Sequence, residues 1–413
     1  MQNRIGLWLI GARGSVSTTA LLGLGGLIGG RIEERGLVSA LSAFSDLNLS
    51  TWDQFVVGGH DIRDFRLVEQ ARIFSRSTRA FDPELVESAA DFLEETDQRI
   101  RPGIFSSGDA SISRLATPGY SLAIEASSNA KAVELIQRDL MDFQASQRLQ
   151  HIVVINVTST EPSVNSAPWP HDWTTFSKLL DDPKFHVPPS TLYAIAAFHA
   201  GCSYVNFTPS LGSNSSALKD LAIQRTVRHV GQDGKTGETL VKSALAPMFL
   251  YRNLEVMSWV GHNILGNLDG AVLSDPSNKT SKVKSKDQLL AEILGYAPQS
   301  HISIENIASL GDWKTAWDHI HFKGFLGTPM VMQFIWQGCD SALAAPLVLD
   351  LARFTERAWR AGQIGVMEQF ACFFKSPMQV DATIAQDHSL GNQFQRLIDW
   401  AVNLCHGQAA TDC

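Results

Sequence analysis

Four of the chain's thirteen lysines, Lys279, Lys282, Lys284 and Lys286, fall in Lys279-Thr-Ser-Lys-Val-Lys-Ser-Lys286. Such a run is either a solvated loop or a site that holds an anion and moves protons. Ser281 is a suitable N-cap, and Leu289, Leu290, Ile293 and Leu294 follow at helical spacing. A helix starting there places Lys282 and Lys286 on one face, with Lys284 turned elsewhere. Lysines in a first turn oppose the helix dipole by about 0.3–1 kcal/mol each. A bound phosphate reverses that sign and satisfies the free N–H groups as well. Lysine also loses its proton readily on burial or beside another cation, so it can act as a base near neutrality.

Two more lysines stand in unusual settings. Lys375 follows Phe370-Ala-Cys-Phe-Phe, an apolar run that predicts burial, and a buried lysine is costly without a partner or a task. Lys314 lies in Gly311-Asp-Trp-Lys-Thr-Ala-Trp-Asp318, where its stem could equally lie over Trp313 or Trp317.

The elements that must position these residues begin with residues 4–10, a short apolar run. Gly11-Ala12-Arg13-Gly14-Ser15 comes next, then an apolar segment over residues 16–28. Strand, tight turn and helix in that order open a dinucleotide-binding βαβ unit, although the strict GxGxxG is absent and a structural glycine turn fits the same letters. Phe55-Val-Val-Gly-Gly-His60-Asp61 reads as the next strand, with Asp61 either on a ribose or capping a turn. Helices are expected over residues 82–99 and 130–148. His151-Ile-Val-Val-Ile-Asn156-Val-Thr158-Ser-Thr160 is a buried parallel strand ending in polar residues, as at the ligand end of such sheets. A helix over 192–200 and a strand over 203–207 lead to Thr208-Pro-Ser210-Leu-Gly212-Ser213-Asn214-Ser-Ser216, which is a phosphate cradle or an ordinary flexible turn. From residue 241 to about 339 the pattern changes to strand-like runs at 254–260, 319–325 and 331–336 around the lysine segment, with a helix over 286–294. Helices over 342–361 and 393–405 return to the first layer.

With 413 residues, 44% hydrophobic and 18% charged, the chain has soluble globular composition and length for two domains. A net charge of −8 argues against a general nucleic-acid binder. Cys202, Cys339, Cys372, Cys405 and Cys413 show no CxxC spacing and read as thiols in a reducing compartment, with no metal site. Arg13 interrupts the N-terminal apolar run, so no targeting or transmembrane segment is expected and the location is expected to be cytoplasmic.

Taken together, these motifs resemble the myo-inositol-1-phosphate synthase (inositol-3-phosphate synthase) family. The resemblance is carried by Gly11-Ala-Arg-Gly-Ser, Val56-Val-Gly-Gly-His-Asp-Ile, Asn156-Val-Thr-Ser-Thr-Glu-Pro162 and Asn206-Phe-Thr-Pro-Ser. It continues through Gly231-Gln-Asp-Gly-Lys-Thr-Gly237, His262-Asn-Ile-Leu-Gly-Asn-Leu-Asp-Gly270, Ser281-Lys-Val-Lys-Ser-Lys286, Gly311-Asp-Trp-Lys314, Asp340-Ser-Ala-Leu-Ala and Lys375-Ser-Pro. It implies an α/β fold, with a Rossmann-type NAD-binding domain over residues 1–240 and 341–413 and an inserted α+β catalytic and tetramerisation domain over 241–340.

The resemblance further implies a redox-neutral isomerase (an intramolecular lyase) of inositol and phospholipid biosynthesis, acting as a cytoplasmic homotetramer. Glucose 6-phosphate is oxidised at C5 by NAD, enolised at C6, closed by aldol attack on C1 and reduced again to myo-inositol 1(3)-phosphate. Lys282, Lys286, Lys314 and Lys375 match the family's active-site lysines, and Asp233, Asp269 and Asp340 their acidic partners. Lys375 and Lys282 would serve the reacting carbons, and Lys314 the oxyanion. Lys286 with Ser210, Gly212, Ser213, Asn214 and Asn267 would hold the phosphate. Gly11, Ala12, Arg13, Gly14, Ser15, Val16, Asp61, Asn156, Thr158 and Thr160 would hold NAD. A monovalent or divalent cation is a candidate activator.

The chain departs from the family at His60, where tryptophan is usual, and in its shorter Pro209-Ser-Leu-Gly-Ser-Asn loop. Those departures keep open the cyclisation of another sugar phosphate, such as fructose 6-phosphate to a five-membered cyclitol phosphate. The same residues would also suit a simple NAD-dependent sugar-phosphate dehydrogenase or a non-enzymatic NAD sensor.

Overall fold

The computed structural model describes residues 3–106, 110–182, 184–266, 289–381, 383–384 and 386–409. β1 (Ile5–Ile10) is buried at every position. Leu7 and Leu9 point into one apolar layer, and Trp8 and Ile10 into the other. A strand covered on both faces in this way needs a parallel sheet flanked by helices. β2 (Phe55–Asp61), β3 (Ile100–Pro102), β4 (His151–Asn156), β5 (Ser203–Asn206) and β6 (Arg228–Gly231) complete most of that sheet.

β7 (Glu255–Leu265), β8 (Gln299–Asn306), β9 (Trp313–Lys323) and β10 (Pro329–Cys339) form a second sheet, and β11 (Gly365–Val366) returns to the first. Among the described residues the first sheet has seven strands, ordered β11-β6-β5-β4-β1-β2-β3. Every pairing in it is parallel. The chain leaves β1 toward β2 on one side and reaches β4 on the other. That reversal opens a crevice at the carboxyl ends of β1 and β4, where ligands of such sheets bind.

Helix Ser15–Ile28 lies against helix Asp340–Arg360 on one face, and helix Asn129–Gln147 against helix Pro189–His199 on the other. The second sheet runs β10-β9-β7-β8, antiparallel except between β7 and β8. Its inner face packs Trp259, Ile320 and Phe322 against Ala246 and Phe249 of helix Gly237–Tyr251. On its outer face Val331 and Ile335 stay exposed.

The α/β class and the second, mixed layer stand as expected from the sequence. The expected helix over 82–99 is two, Pro83–Ser88 and Ala90–Asp97, because Ala89 leaves helical geometry (φ −101°, ψ 4°) between them. Of the expected helix over 286–294, residues 289–294 are helical and the rest lies outside the described residues. The expected boundary at 240/241 falls within helix Gly237–Tyr251. β9 starts earlier than expected, so Lys314 sits on a strand. No helix of the described residues is long and apolar enough to cross a membrane.

Gly59 of β2 sets how closely the first turn can approach. A Cβ there would lie 2.3 Å from the Leu9 carbonyl oxygen and 2.7 Å from Ala12 Cβ. Backbone cannot yield as a side-chain tip can. Gly59→Ala should therefore destabilise the fold by about 1–3 kcal/mol in urea unfolding.

Candidate functional site

A cavity of about 580 Å³ lies where the carboxyl ends of β1, β2 and β4 face the second sheet. On one wall the chain turns at Gly11 (φ +85°), and the Gly11 and Ala12 N–H groups donate to the His60 carbonyl at 2.8 and 3.0 Å. A Cβ on Gly11 would meet the Thr158 backbone at 3.2 Å, so glycine allows both the turn and the close approach. Helix Ser15–Ile28 then starts at Gly14 with no side-chain cap. Its free N–H groups face the cavity, which Gly11, Gly14, Ser15 and Val16 line together with Asp61, Asn156, Thr158 and Thr160. An uncapped helix start beside a glycine cradle fits a dinucleotide pyrophosphate.

Ala12 and Arg13, expected on the cofactor, do not line this cavity. Arg13 is turned inward, with its guanidinium on Asp97 Oδ1 (2.9 and 3.1 Å), the Arg63 carbonyl (2.7 Å) and the Tyr120 hydroxyl (3.0 Å). Its backbone N–H donates to Asp61 Oδ2 at 2.6 Å, and Arg63 N–H to Oδ1 at 2.8 Å. Arg13 thus braces the loop that carries the glycines. Beneath it, Trp8 Nε1–H donates to His60 Nδ1 at 3.0 Å, which leaves the ring proton on Nε2, 3.1 Å from Asp139. Burial holds the His60 pKa below the usual histidine value.

The opposite wall carries charge. Lys375 Nζ lies 2.9 Å from Asp233 Oδ1, and both line the cavity. Phe370, Phe373 and Phe374 before it are buried, as the apolar run predicts. Backbone bonds join the segments, among them Lys375 N–H to the Asp233 carbonyl (2.7 Å), Lys235 N–H to the Phe373 carbonyl (2.8 Å) and Gln232 N–H to the Ser376 carbonyl (2.9 Å). Lys314, Asp340 and Asp312 line the same space. Asp312 is a residue that sequence reasoning missed, although it sits two before Lys314 in the Gly311-Asp-Trp-Lys motif. It accepts from Ser341 N–H (2.8 Å), Ser341 Oγ (3.0 Å) and Cys339 Sγ (3.1 Å), and burial pushes its carboxyl up. Helix Gly237–Tyr251 also begins here with no side-chain cap, and Lys314 Nζ is 3.7 Å from where a Gly237 Cβ would stand.

The loop expected to cradle phosphate is placed differently. Ser210, Gly212, Ser213 and Asn214 do not line the cavity. Ser210 Oγ accepts from Glu161 N–H (3.1 Å), and Gly212 N–H donates to Ser190 Oγ (3.2 Å). Ser213 Oγ meets His229 Nδ1 (2.9 Å), and Asn214 donates to Gln232 (3.1 Å). Their polar groups serve the fold, and Thr208 and Pro209 reach the cavity in their stead. Asn267, Asp269, Lys279, Lys282, Lys284 and Lys286 lie outside the described residues. Among the described residues no cluster of three or more His, Cys, Asp or Glu side chains could hold a metal ion.

Several known proteins share this architecture. A family model described as "Myo-inositol-1-phosphate synthase" matches residues 5–401. Inositol-3-phosphate synthase 1 of Bacteroides thetaiotaomicron is 30% identical over 95% of this chain and 93% of its own. The Bos taurus protein of that name is 31% identical over 75% of this chain, a match that spans 55% of the bovine protein. The crystal structure of inositol-3-phosphate synthase from Caenorhabditis elegans superposes with a TM-score of 0.84 at 23% identity, covering 98% of this chain and 86% of that one. A myo-inositol-1-phosphate synthase-related protein from Thermotoga maritima gives 0.78 at 22%, covering 97% and 98%. At those identities the two structures show the fold.

Behind the Asp233–Lys375 ladder, Lys235 is 2% exposed with Nζ on Gln393 Oε1, and burial pulls its pKa from 10.5 to about 8. The unfolded chain therefore binds a proton between pH 8 and 10.5 that the folded state has released, and stability rises with pH across that window. Wild type should gain about 3 kcal/mol relative to Lys235→Met between those limits in urea unfolding. A difference flat with pH would contradict it.

Proposed function

The chain belongs to the myo-inositol-1-phosphate synthase family, and on that premise we propose how its cavity divides the family's reaction, the NAD-dependent cyclisation of glucose 6-phosphate to inositol phosphate. The observation that carries the assignment is the Lys375–Asp233 pair, which faces the crevice opposite the Gly11–Val16 turn.

The glycine turn, the uncapped start of helix Ser15–Ile28 and Asp61 hold NAD, with Asn156, Thr158 and Thr160 shaping the end of β4. Bound there, NAD would supply both the hydride acceptor and, within the same turnover, the hydride donor. Lys375, backed by Asp233, takes up the C5 hydroxyl proton as that hydride leaves. The C6 proton lost on enolisation is balanced by the proton that the C1 oxygen gains when C6 attacks C1. Lys375 returns its proton when C5 is reduced, so no net proton or electron is exchanged.

We assign the phosphate to the cavity wall at Thr236, where helix Gly237–Tyr251 begins. Lys314 lines the same wall and supplies an ammonium for the anion. Asp312 and Asp340 set the charge around Lys314. Lys282 and Lys286, with Asp269 and Asn267, complete the site by resemblance to the family.

Helix Gly237–Tyr251 is best counted with the inserted domain, since Ala246 and Phe249 pack in the core of the second sheet. The exposed Val331 and Ile335 on that sheet's outer face support assembly into a homotetramer. A cytoplasmic location and activation by a cation belong to the same proposal.

Incubation with NAD+ and glucose 6-phosphate should yield a cyclic phosphate, seen by NMR, with no net gain in NADH absorbance. Stoichiometric NADH would sink the cyclisation in favour of a dehydrogenase. Lys375→Ala should cut turnover by at least about tenfold, some 1.4 kcal/mol of barrier, with NAD+ binding retained.

A further inference from the structure

After β2 the chain runs Asp61-Ile62-Arg63, and all three residues line the cavity. In dinucleotide folds an acid at this place bonds the ribose 2′-hydroxyl, whereas an arginine nearby accommodates a 2′-phosphate. Here the acid is committed to the fold. The Asp61 side chain is 2% exposed. Its Oδ2 accepts from Arg13 N–H at 2.6 Å and its Oδ1 from Arg63 N–H at 2.8 Å, with Arg63 Nε 3.4 Å from that same oxygen. Asp61 thus serves the coenzyme end through the glycine turn it braces, and both of its oxygens are met by donors.

Arg63 is fixed in place but not used up. Its backbone is held on both sides, the N–H by Asp61 and the carbonyl by Arg13 Nη1 at 2.7 Å. Its guanidinium stands over the Phe65 ring at 4.9 Å, which limits the side chain's freedom. The side chain is 17% exposed, and its Nη2 is 3.9 Å from where a Gly14 Cβ would stand. That places the guanidinium beside the start of helix Ser15–Ile28. Apart from the Nε contact, it makes no side-chain hydrogen bond among the described residues. A planar fork of N–H donors therefore remains for a ligand, in the geometry that suits phosphate oxygens. Of the other acids nearby, Asp97 is taken by Arg13, and Asp64 is turned outward, 58% exposed and 3.8 Å from Arg13 Nη1.

We propose that Arg63 sets the coenzyme choice at the adenosine ribose, and that the cavity accepts a dinucleotide bearing a 2′-phosphate, NADP, as well as NAD. The inference rests on the dinucleotide reading of the cavity and adds a specificity to it. The usual obstacle to NADP is a carboxylate presented to the ribose, and here that carboxylate is buried and paired. The reaction itself sets no obstacle. A cyclisation that returns its hydride has no net redox demand, so either coenzyme meets the chemistry.

The test is titration of the coenzyme-free protein with NAD+ and with NADP+ by calorimetry, at one salt concentration and without sugar. Wild type should bind NADP+ within about tenfold of NAD+, since a bidentate arginine–phosphate contact offsets what the acid costs. Arg63→Ser should lower the ratio of NADP+ to NAD+ affinity by at least about tenfold. An arginine that served only the pyrophosphate, or only the fold, would weaken both coenzymes by one common factor.

The inference is overturned if wild type disfavours NADP+ by more than about tenfold, or if the ratio in Arg63→Ser falls by less than that. The wild-type comparison decides even if the variant fails to fold. Binding of NAD+ without NADP+ sinks this inference alone. Binding of neither sinks the dinucleotide reading with it.

Discussion

The short antiparallel pairing of residues 233–235 with 373–375 is the constraint on which the site depends. It places a lysine 142 residues distant in sequence beside an aspartate at 2.9 Å. Asp233 adopts φ +63°, a left-handed conformation that aspartate tolerates better than most residues. Its N–H is taken by the Thr208 carbonyl at 3.0 Å, and its own carbonyl by Lys375 N–H. With backbone on both sides fixed, the carboxylate has little freedom, and the ammonium meets it without ordering a long loop. The Phe370–Phe374 run supplies the burial that holds the second segment down.

Around that pairing the protein handles buried charge in a consistent manner. Arg13 has Asp97, Lys242 has Glu238, Lys375 has Asp233, and Lys235 has the neutral Gln393. Ions out of water are expensive, and truncating one partner costs more than the pair itself contributes. The first of these pairs braces the glycine loop. Lys235 differs because the partner on its ammonium carries no charge, and burial depresses its pKa.

Much of this was legible in the sequence where chemistry is local. The β1–turn–helix unit, the buried strand ending at Asn156 and the apolar run before Lys375 each announce themselves within about ten residues. Arg13 did not, because its direction is set by Asp97 and Tyr120, far along the chain. The Ser210–Asn214 loop has the composition of an anion cradle. Composition cannot say whether donors face a ligand or their own backbone, and here they meet Glu161, Ser190, His229 and Gln232. β8 escaped notice because Gln299-Ser-His-Ile-Ser-Ile-Glu-Asn carries only two apolar residues, on the single face that is covered. Asp312 was hidden because its neighbour in the motif, Lys314, drew the chemical argument.

A cyclisation that borrows and returns a hydride makes a demand that a simple dehydrogenase does not. The oxidised sugar must stay in reach of the reduced cofactor through two further bond changes, while protons are moved at the other end of the same molecule. One cavity walled by two sheets meets that demand. The first sheet offers an uncapped helix start beside Gly11, which suits a pyrophosphate through backbone N–H groups. The second sheet and its helix offer Lys314 and the wall at Thr236, to which the sugar's own phosphate is assigned. Anchoring both ligands through backbone and Lys314 would leave Lys375 and Asp233, which line the same cavity, for proton transfer. Separating anchoring from proton transfer lets the sugar change shape between its fixed ends without losing its place.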